Sequence, residues 1–271
     1  MKQLKSRVSD LRSLFEKNIT IAYVAEPLKA FPATTETTIA LAWMEERDFD
    51  VIGIEQEGET TGYVERPSLL GKGGCCGDYE QPFLLFELVA ISTPLLKILP
   101  LFQQKSRLFV LENHQVNGII TQGDLQKAPV RMLLFSLVTL LEMNLLRLIR
   151  HHYEDHHWQQ VLKTERLNLA RKYWQESLAR NEATDLLDYL QFCDKRDLVL
   201  AHPQLLQKLG LPSKRHSDRL LKEAEQLRNR LAHAQDLVSG SSWQELISLA
   251  GAIEQVLVCC EESFYSTEKS Y

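Results

Sequence analysis

The stretch RLFVLENHQVNGIITQGDLQ, Arg107 to Gln126, decides how the first half of this chain is read. Arg107 to Leu111 is an apolar run short enough for a strand, ENHQVN turns, and Gly118 to Thr121 returns. The returning strand ends at a hydroxyl, Thr121. Three residues on, Asp124 places a carboxylate in the first turn of a helix, where negative charge suits the helix N-terminus. Thr121 could donate to a phosphate and Asp124 accept from ribose hydroxyls, with unpaired helix amides assisting. The alternative is that Thr121 only caps the helix. Upstream, Thr93 to Gln104 (TPLLKILPLFQQ) is helix-like.

The same order occurs once before, which makes the first half a repeat. Thr37 to Arg47 (TTIALAWMEER) has helical periodicity, Asp50 to Glu55 (DVIGIE) reads as a strand, EGE turns, and Thr61 to Val64 (TGYV) returns. Between the copies, Gly71 to Tyr79 (GKGGCCGDY) reads as a flexible connection. It lacks the order of a phosphate-binding loop, because Lys72 precedes the glycines that should come before it.

From Pro129 onward the pattern is helical. Met132 to Ile149 is the most apolar window, but Glu142 and Arg147 interrupt it well short of the roughly 20 residues that cross a bilayer. It reads as a buried helix, and no membrane association is expected. Further helices are expected over Leu167 to Tyr173, Asp185 to Phe192, His202 to Leu209, Ser217 to Leu231 and Trp243 to Cys260, which suits a bundle.

Composition excludes several classes. With 44% hydrophobic and 25% charged residues in 271, the chain can build real cores and is neither disordered nor collagenous. The net charge of -5 gives no global basic field for polyanions, so any nucleic acid must be held locally. Lys and Arg number 13 against 17 Asp and Glu up to Ala128, and 18 against 19 beyond it, which favours the later half for a basic cleft. Five cysteines, four of them in the adjacent pairs Cys75–Cys76 and Cys259–Cys260, suit no disulfide framework and suggest a reducing cytoplasm. Cys193, Cys259 and Cys260 lie in apolar runs and read as core residues.

The repeat resembles the cystathionine-beta-synthase (CBS) domain, whose paired copies form an adenosyl-nucleotide sensing module; the resemblance spans roughly residues 18 to 128. It is close in the second copy. In the first, Glu65 stands where Thr121 stands and Ser68 where Asp124 stands, which removes the ribose-holding carboxylate and sets another beside the phosphate position. The resemblance implies at most one good ligand site, on Thr121 and Asp124, with AMP, ADP or ATP as regulatory ligand.

In the second half the sharpest motif is Arg228-Asn229-Arg-Leu-Ala-His233. The Arg-x4-His spacing alone means little, since Arg147 to His152 repeats it. Asn229 and His233 are one helical turn apart, whereas Arg228 lies about 140° round from His233, so a bend or a second copy is needed to aim both at one point. A histidine can move a 2′-hydroxyl proton and an arginine can stabilise charge on a scissile phosphate without a metal. Lys214, Arg215, His216, Arg219, Lys222 and Arg230 make the surroundings basic. An ordinary solvated helix with a terminal histidine is the other reading. His152 and His156 have the spacing of a helical zinc site, with Glu154 and Asp155 nearby, or form a solvated helix end.

RNRLAH, with LLDYLQFCDKRDLV (Leu186 to Val199) and LLEMNLLRLIR (Leu140 to Arg150), resembles the HEPN (higher eukaryotes and prokaryotes nucleotide-binding) family over about residues 129 to 265. That resemblance implies a ribonuclease site on Arg228, Asn229 and His233 at a homodimer interface, with Glu142 as a supporting acidic position. The whole chain is then expected to be α+β: a tandem CBS-like α/β module over 1–128, followed by an all-α HEPN-like bundle over 129–271. The expected function is a cytoplasmic, nucleotide-regulated, metal-independent endoribonuclease acting on RNA as a homodimer, with no cofactor required. The alternative is a non-catalytic adenine-nucleotide sensor whose helical half dimerises or recruits a partner. In either case Pro129 to Leu141, directly after Asp124, is the expected coupling segment.

Overall fold

The computed structural model describes residues 7–153, 157–180, 185–211 and 213–268. They form two compact units, one of Phe15–Val130 and one of Arg131–Tyr271 together with Met1–Leu14. The N-terminal segment thus groups with the later helices. Helix α1, Val8–Asn18, buries Val8, whose amide donates to Glu261 at 2.5 Å, and Arg12 pairs with Glu254 at 3.1 Å. The alternation of charge with apolar residues in this segment is the signature of an amphipathic helix seeking a partner.

The first unit is built on two interlocked sheets. Strands β1 (Glu26–Pro27) and β2 (Ala30–Pro32) precede α2 (Thr37–Arg47), β3 (Val51–Gln56), β4 (Glu59–Glu65) and the short α3 (Arg66–Leu69). The second copy runs β5 (Gln81–Pro82), β6 (Leu88–Ala90), α4 (Leu95–Ile98), β7 (Arg107–Glu112) and β8 (Gln115–Thr121), then a 3-10 turn over Gln122–Gln126. One sheet has the order β2-β3-β4-β5 and the other β6-β7-β8-β1, so each copy lends its leading strand to the edge of the other's sheet. The lent strands carry Pro27 and Pro82, which lack the N–H that further edge pairing would need.

The copies match to the residue. Val51 pairs with Glu65 as Arg107 pairs with Thr121, and the bulge after Ile54 recurs after Val110. Both hairpins turn through two residues of positive φ, Glu57-Gly58 and Asn113-His114, the twist that tight hairpins prefer. The glycine opening each returning run sits against a lent strand: a Cβ at Gly62 would stand 2.5 Å from the Gln81 carbonyl oxygen, and one at Gly118 would stand 3.3 Å from that of Glu26. One core lies beneath α2, with Ala40, Met44, Ile52, Ile54 and Val64 all fully buried. A second joins the sheets through Tyr63, Phe83 and Phe109, whose rings are 4.7–5.6 Å apart. The second copy's helix is shorter than Thr93 to Gln104 suggested: after α4 the chain tightens into a 3-10 turn over Leu99–Gln103, with Pro100 in its first turn. The glycine-rich connection is anchored rather than loose, since Cys76 is fully buried in the α2 core and Thr37 donates to the Lys72 carbonyl at 2.8 Å.

Among the described residues, every element from Ala128 on is helical. These are α5 (Ala128–His152), α6 (Thr164–Leu178), α7 (Phe192–Ala201), α8 (Pro203–Lys208), α9 (Lys214–Ala232) and α10 (Trp243–Glu268), with 3-10 turns between. Asp185 to Phe192, a helical stretch by its apolar content, holds only a 3-10 turn over Leu186–Tyr189, and the α-helix begins at Phe192, where that stretch ends. Asp188 accepts from the Asp185 amide and Asp194 from that of Gln191, so polar caps at both places divide what reads in sequence as one run. Helix α5 is long and apolar enough to cross a bilayer, but 56% of its most apolar window is inside the protein. Its buried side includes Leu133, Leu134, Leu137, Val138, Leu141, Leu145, Leu148 and Ile149.

Candidate functional site

Two clusters hold the residues singled out in sequence, one in each unit. In the first unit, Asp124 is only 8% exposed and its oxygens are already engaged. Its Oδ2 accepts from the Thr121 amide at 2.7 Å and the Thr121 hydroxyl at 2.9 Å, and its Oδ1 lies 2.8 Å from Lys127 Nζ. Lys127 also donates to Glu26 and, at 2.6 Å, to the Val24 carbonyl. Burial pulls the Lys127 ammonium down, and Asp124 and Glu26 more than offset it, so it is held above its ordinary range. Thr121 and Asp124 therefore form a closed cap in this structure, and a ribose hydroxyl would have to take Oδ1 from Lys127.

At the matching turn of the first copy, Ser68 donates to the Glu65 carbonyl at 2.6 Å, the cap that its shorter side chain allows. The Glu65 carboxylate instead pairs with Arg107. Arg107 is also the ladder partner of Thr121, so the guanidinium that pairs with the first copy's turn is carried on the strand position opposite the end of the second copy's returning strand. Sequence reading missed Arg107. Only the strand register, which places it opposite Thr121, marks it.

In the second unit the resemblance-derived residues come together in part. Glu142 on α5 accepts from Lys195 Nζ at 2.7 Å through Oε1, and its Oε2 lies 3.3 Å from Arg228 Nε on α9. The Arg228 side chain is 44% exposed, and its Nη1 is 3.5 Å from Asn229 Oδ1. Arg228, Asn229 and His233 all lie at the surface. Helix α9 ends at Ala232 with His233 as its C-cap, and the His233 amide still donates to the Asn229 carbonyl at 3.1 Å, one helical turn back. Ala234 has φ +51, and the amides of Ala234 and Gln235 return to the carbonyls of Leu231 and Arg230, the bonds of a Schellman turn. Arg131 secures that turn by donating to the carbonyls of Arg230 at 3.2 Å and Gln235 at 3.0 Å. Neither Lys195 nor Arg131 carries a signal in sequence, for each acquires its role from a helix distant in the chain.

The basic run around the motif is less free than its composition suggests. Lys222 pairs with Asp218 at 2.7 Å, Arg219 faces Glu223 at 3.9 Å, and Arg230 donates to the Leu237 carbonyl at 2.9 Å. Of the histidine cluster, Glu154, Asp155 and His156 lie outside the described residues, and with them the zinc-like spacing. Among the described residues no group of three His, Cys, Asp or Glu could hold a metal ion. His152 instead meets His202, Nε2 to Nδ1, at 2.8 Å, and is held below its ordinary range by burial first and then by His202, Lys208 and His151. All five cysteines are free; Cys76 and Cys260 are buried, whereas Cys193 and Cys259 are only partly so.

No family model matches the chain, and no curated protein matches it. Solved structures similar to its N-terminal part include CBSX2 in complex with AMP, 22% identical with a TM-score of 0.37, covering 42% of this chain and 97% of that one. The CBS-pair protein CBSX2 from Arabidopsis thaliana is 21% identical with a TM-score of 0.37, covering 42% and 95%. A putative acetoin utilization protein (AcuB) from Vibrio cholerae is 19% identical with a TM-score of 0.37, covering 42% and 93%.

Proposed function

We propose that the first unit is a regulatory sensor that binds an adenine nucleotide, AMP, ADP or ATP, in the cleft where its two strand-to-helix turns meet. The observation that carries this reading is that Arg107, the ladder partner of Thr121 in the second copy, pairs with Glu65 at the turn of the first. A guanidinium is always charged and matches a phosphate with two parallel bonds. The adenine preference comes from the resemblance of Arg107 to Gln126 to the CBS motif, with Asp124 as the ribose acceptor. The helical unit is the output, acting as a dimerisation or recruitment element. Isothermal titration of the purified protein with AMP, ADP, ATP and adenosine tests this. Binding that is lost in Asp124→Asn supports it, and failure of all four ligands to bind ends it.

A second reading, in which the helical unit is a metal-independent endoribonuclease, is favoured by one observation. Glu142 steers Arg228 while Lys195 balances the Glu142 charge, so a solvent-facing guanidinium keeps its net positive charge beside His233's helix end. In this reading two copies bring their Arg228 and His233 side chains together on RNA. Incubating RNA with wild type and His233→Ala in chelator, and scoring for cyclic-phosphate ends, decides it. Cutting by wild type alone supports the nuclease, and cutting by neither, with or without nucleotide, leaves the sensor reading.

A further inference from the structure

The two copies of the repeat differ at one pair of facing positions in a way that is chemically complementary. Where the ladder of the second copy has Arg107 opposite Thr121, that of the first has Val51 opposite Glu65. Neither ladder sets an opposite charge across from its charged residue, and the Arg107 cation of one copy pairs with the Glu65 carboxylate of the other. The match is incomplete. Glu65 engages Arg107 through Nη2, while Arg107 Nε is buried without a hydrogen-bond partner. The guanidinium lies 5.2 Å from the Tyr63 ring centre and 5.8 Å from that of Phe109, so aromatic faces hold it in place whichever anion it meets. Glu65 is the more exposed partner, 35% against 22%, and can turn to water while Arg107 stays.

We propose that Arg107 is the anion-binding residue of the cleft and that Glu65 is a built-in competitor, occupying it until a phosphate-bearing ligand displaces it. This rests on the reading of the cleft as the ligand site and adds how it selects. A part-exposed ion pair contributes little and is cheap to open. A phosphate carries more charge than a carboxylate and presents more oxygens to the guanidinium. A neutral nucleoside gains nothing from the exchange. Glu65 thus sets a threshold that phosphorylated ligands pass and nucleosides do not.

The probe is inorganic pyrophosphate, titrated calorimetrically into the full chain as wild type, Glu65→Gln, Glu65→Thr and the Glu65→Gln/Arg107→Gln double variant, each checked for native circular dichroism. Glu65→Thr restores the residue of the other copy, so it serves where Glu65→Gln does not fold. The expected result is at least tenfold tighter pyrophosphate binding in the single variants than in wild type, with the gain abolished in the double variant. Unchanged affinity in the folded single variants, or a gain that survives loss of Arg107, overturns the proposal. AMP and adenosine are titrated separately. If the Glu65 variants gain pyrophosphate while no form binds either, the anion site stands and the nucleotide reading falls.

Discussion

Glu142 on α5 holds Arg228 on α9, Oε2 to Nε, at 3.3 Å, although 86 positions separate them in the chain. The carboxylate is shared, since its other oxygen accepts from Lys195, a residue only 5% exposed. Removing Glu142 alone leaves that lysine buried without a counter-charge. Glu142→Ala is therefore expected to cost about 2 kcal/mol or more, read from urea denaturation. Glu142→Leu combined with Lys195→Met should recover most of the loss, because replacing both charges by apolar groups removes the desolvation penalty on each. Equal losses in the single and double variants would show that packing, rather than charge, sets the cost.

Ala234 adopts φ +51 at the end of α9, where glycine is usual. Ala234→Gly should raise stability by up to about 1 kcal/mol by relieving the left-handed conformation, the reverse of the usual penalty for glycine. The sign is the test: a fall in the urea midpoint would mean that the turn carries no strain.

Gly62 and Gly118 occupy matching places beside the lent strands but with unequal room. At Gly62 a Cβ would stand 2.5 Å from a backbone oxygen, while at Gly118 the nearest atom is Val110 Cβ at 3.0 Å. Gly62→Ala should cost about 2 kcal/mol by forcing β5 from β4, and Gly118→Ala distinctly less. Hydrogen exchange at Tyr63 and Gln81 should localise the first effect, and a reversed ranking would contradict this account of the strand exchange.

His152 titrates below the usual histidine range because of burial and its neighbours His202, Lys208 and His151, with Tyr153 beside them. As pH falls through the ordinary histidine pKa of about 6.5, the unfolded chain takes up this proton before the folded chain does, so stability drops. Urea midpoints at pH 7.5 and 5.5 should differ less in His152→Gln than in wild type. An unaltered pH dependence would assign the acid sensitivity to other groups.

Much of the second copy of the repeat is legible in sequence, because a short apolar strand, its returning partner and a hydroxyl-to-carboxylate cap are each dictated within a few residues, although ENHQVN, read as the turn, narrows to Asn113-His114 as its ends join the strands. That locality also explains the miss at Asp185 to Phe192. Apolar content there suits a helix, and only the two successive aspartate caps, whose bonds depend on backbone geometry, divide it. In the candidate sites, Thr121 with Asp124 could be named from the residues themselves, whereas the Arg228, Asn229 and His233 triplet and the acidic position at Glu142 rested on the family resemblance.

Their partners could not. The sequence by itself determined the duplicated strand–turn–strand pattern, the helical character of the second half and the residue types able to meet phosphate or move a proton. Only the tertiary structure decided that Arg107 answers Glu65, that Lys195 divides Glu142 with Arg228, that Arg131 clamps the turn after His233, and that each copy lends a strand to the other. Local patterns depend on neighbours in the chain, which periodicity and capping chemistry reveal. Charge pairing and strand exchange depend on which distant segments share a register once the apolar faces are buried, and that register exists only in the folded chain.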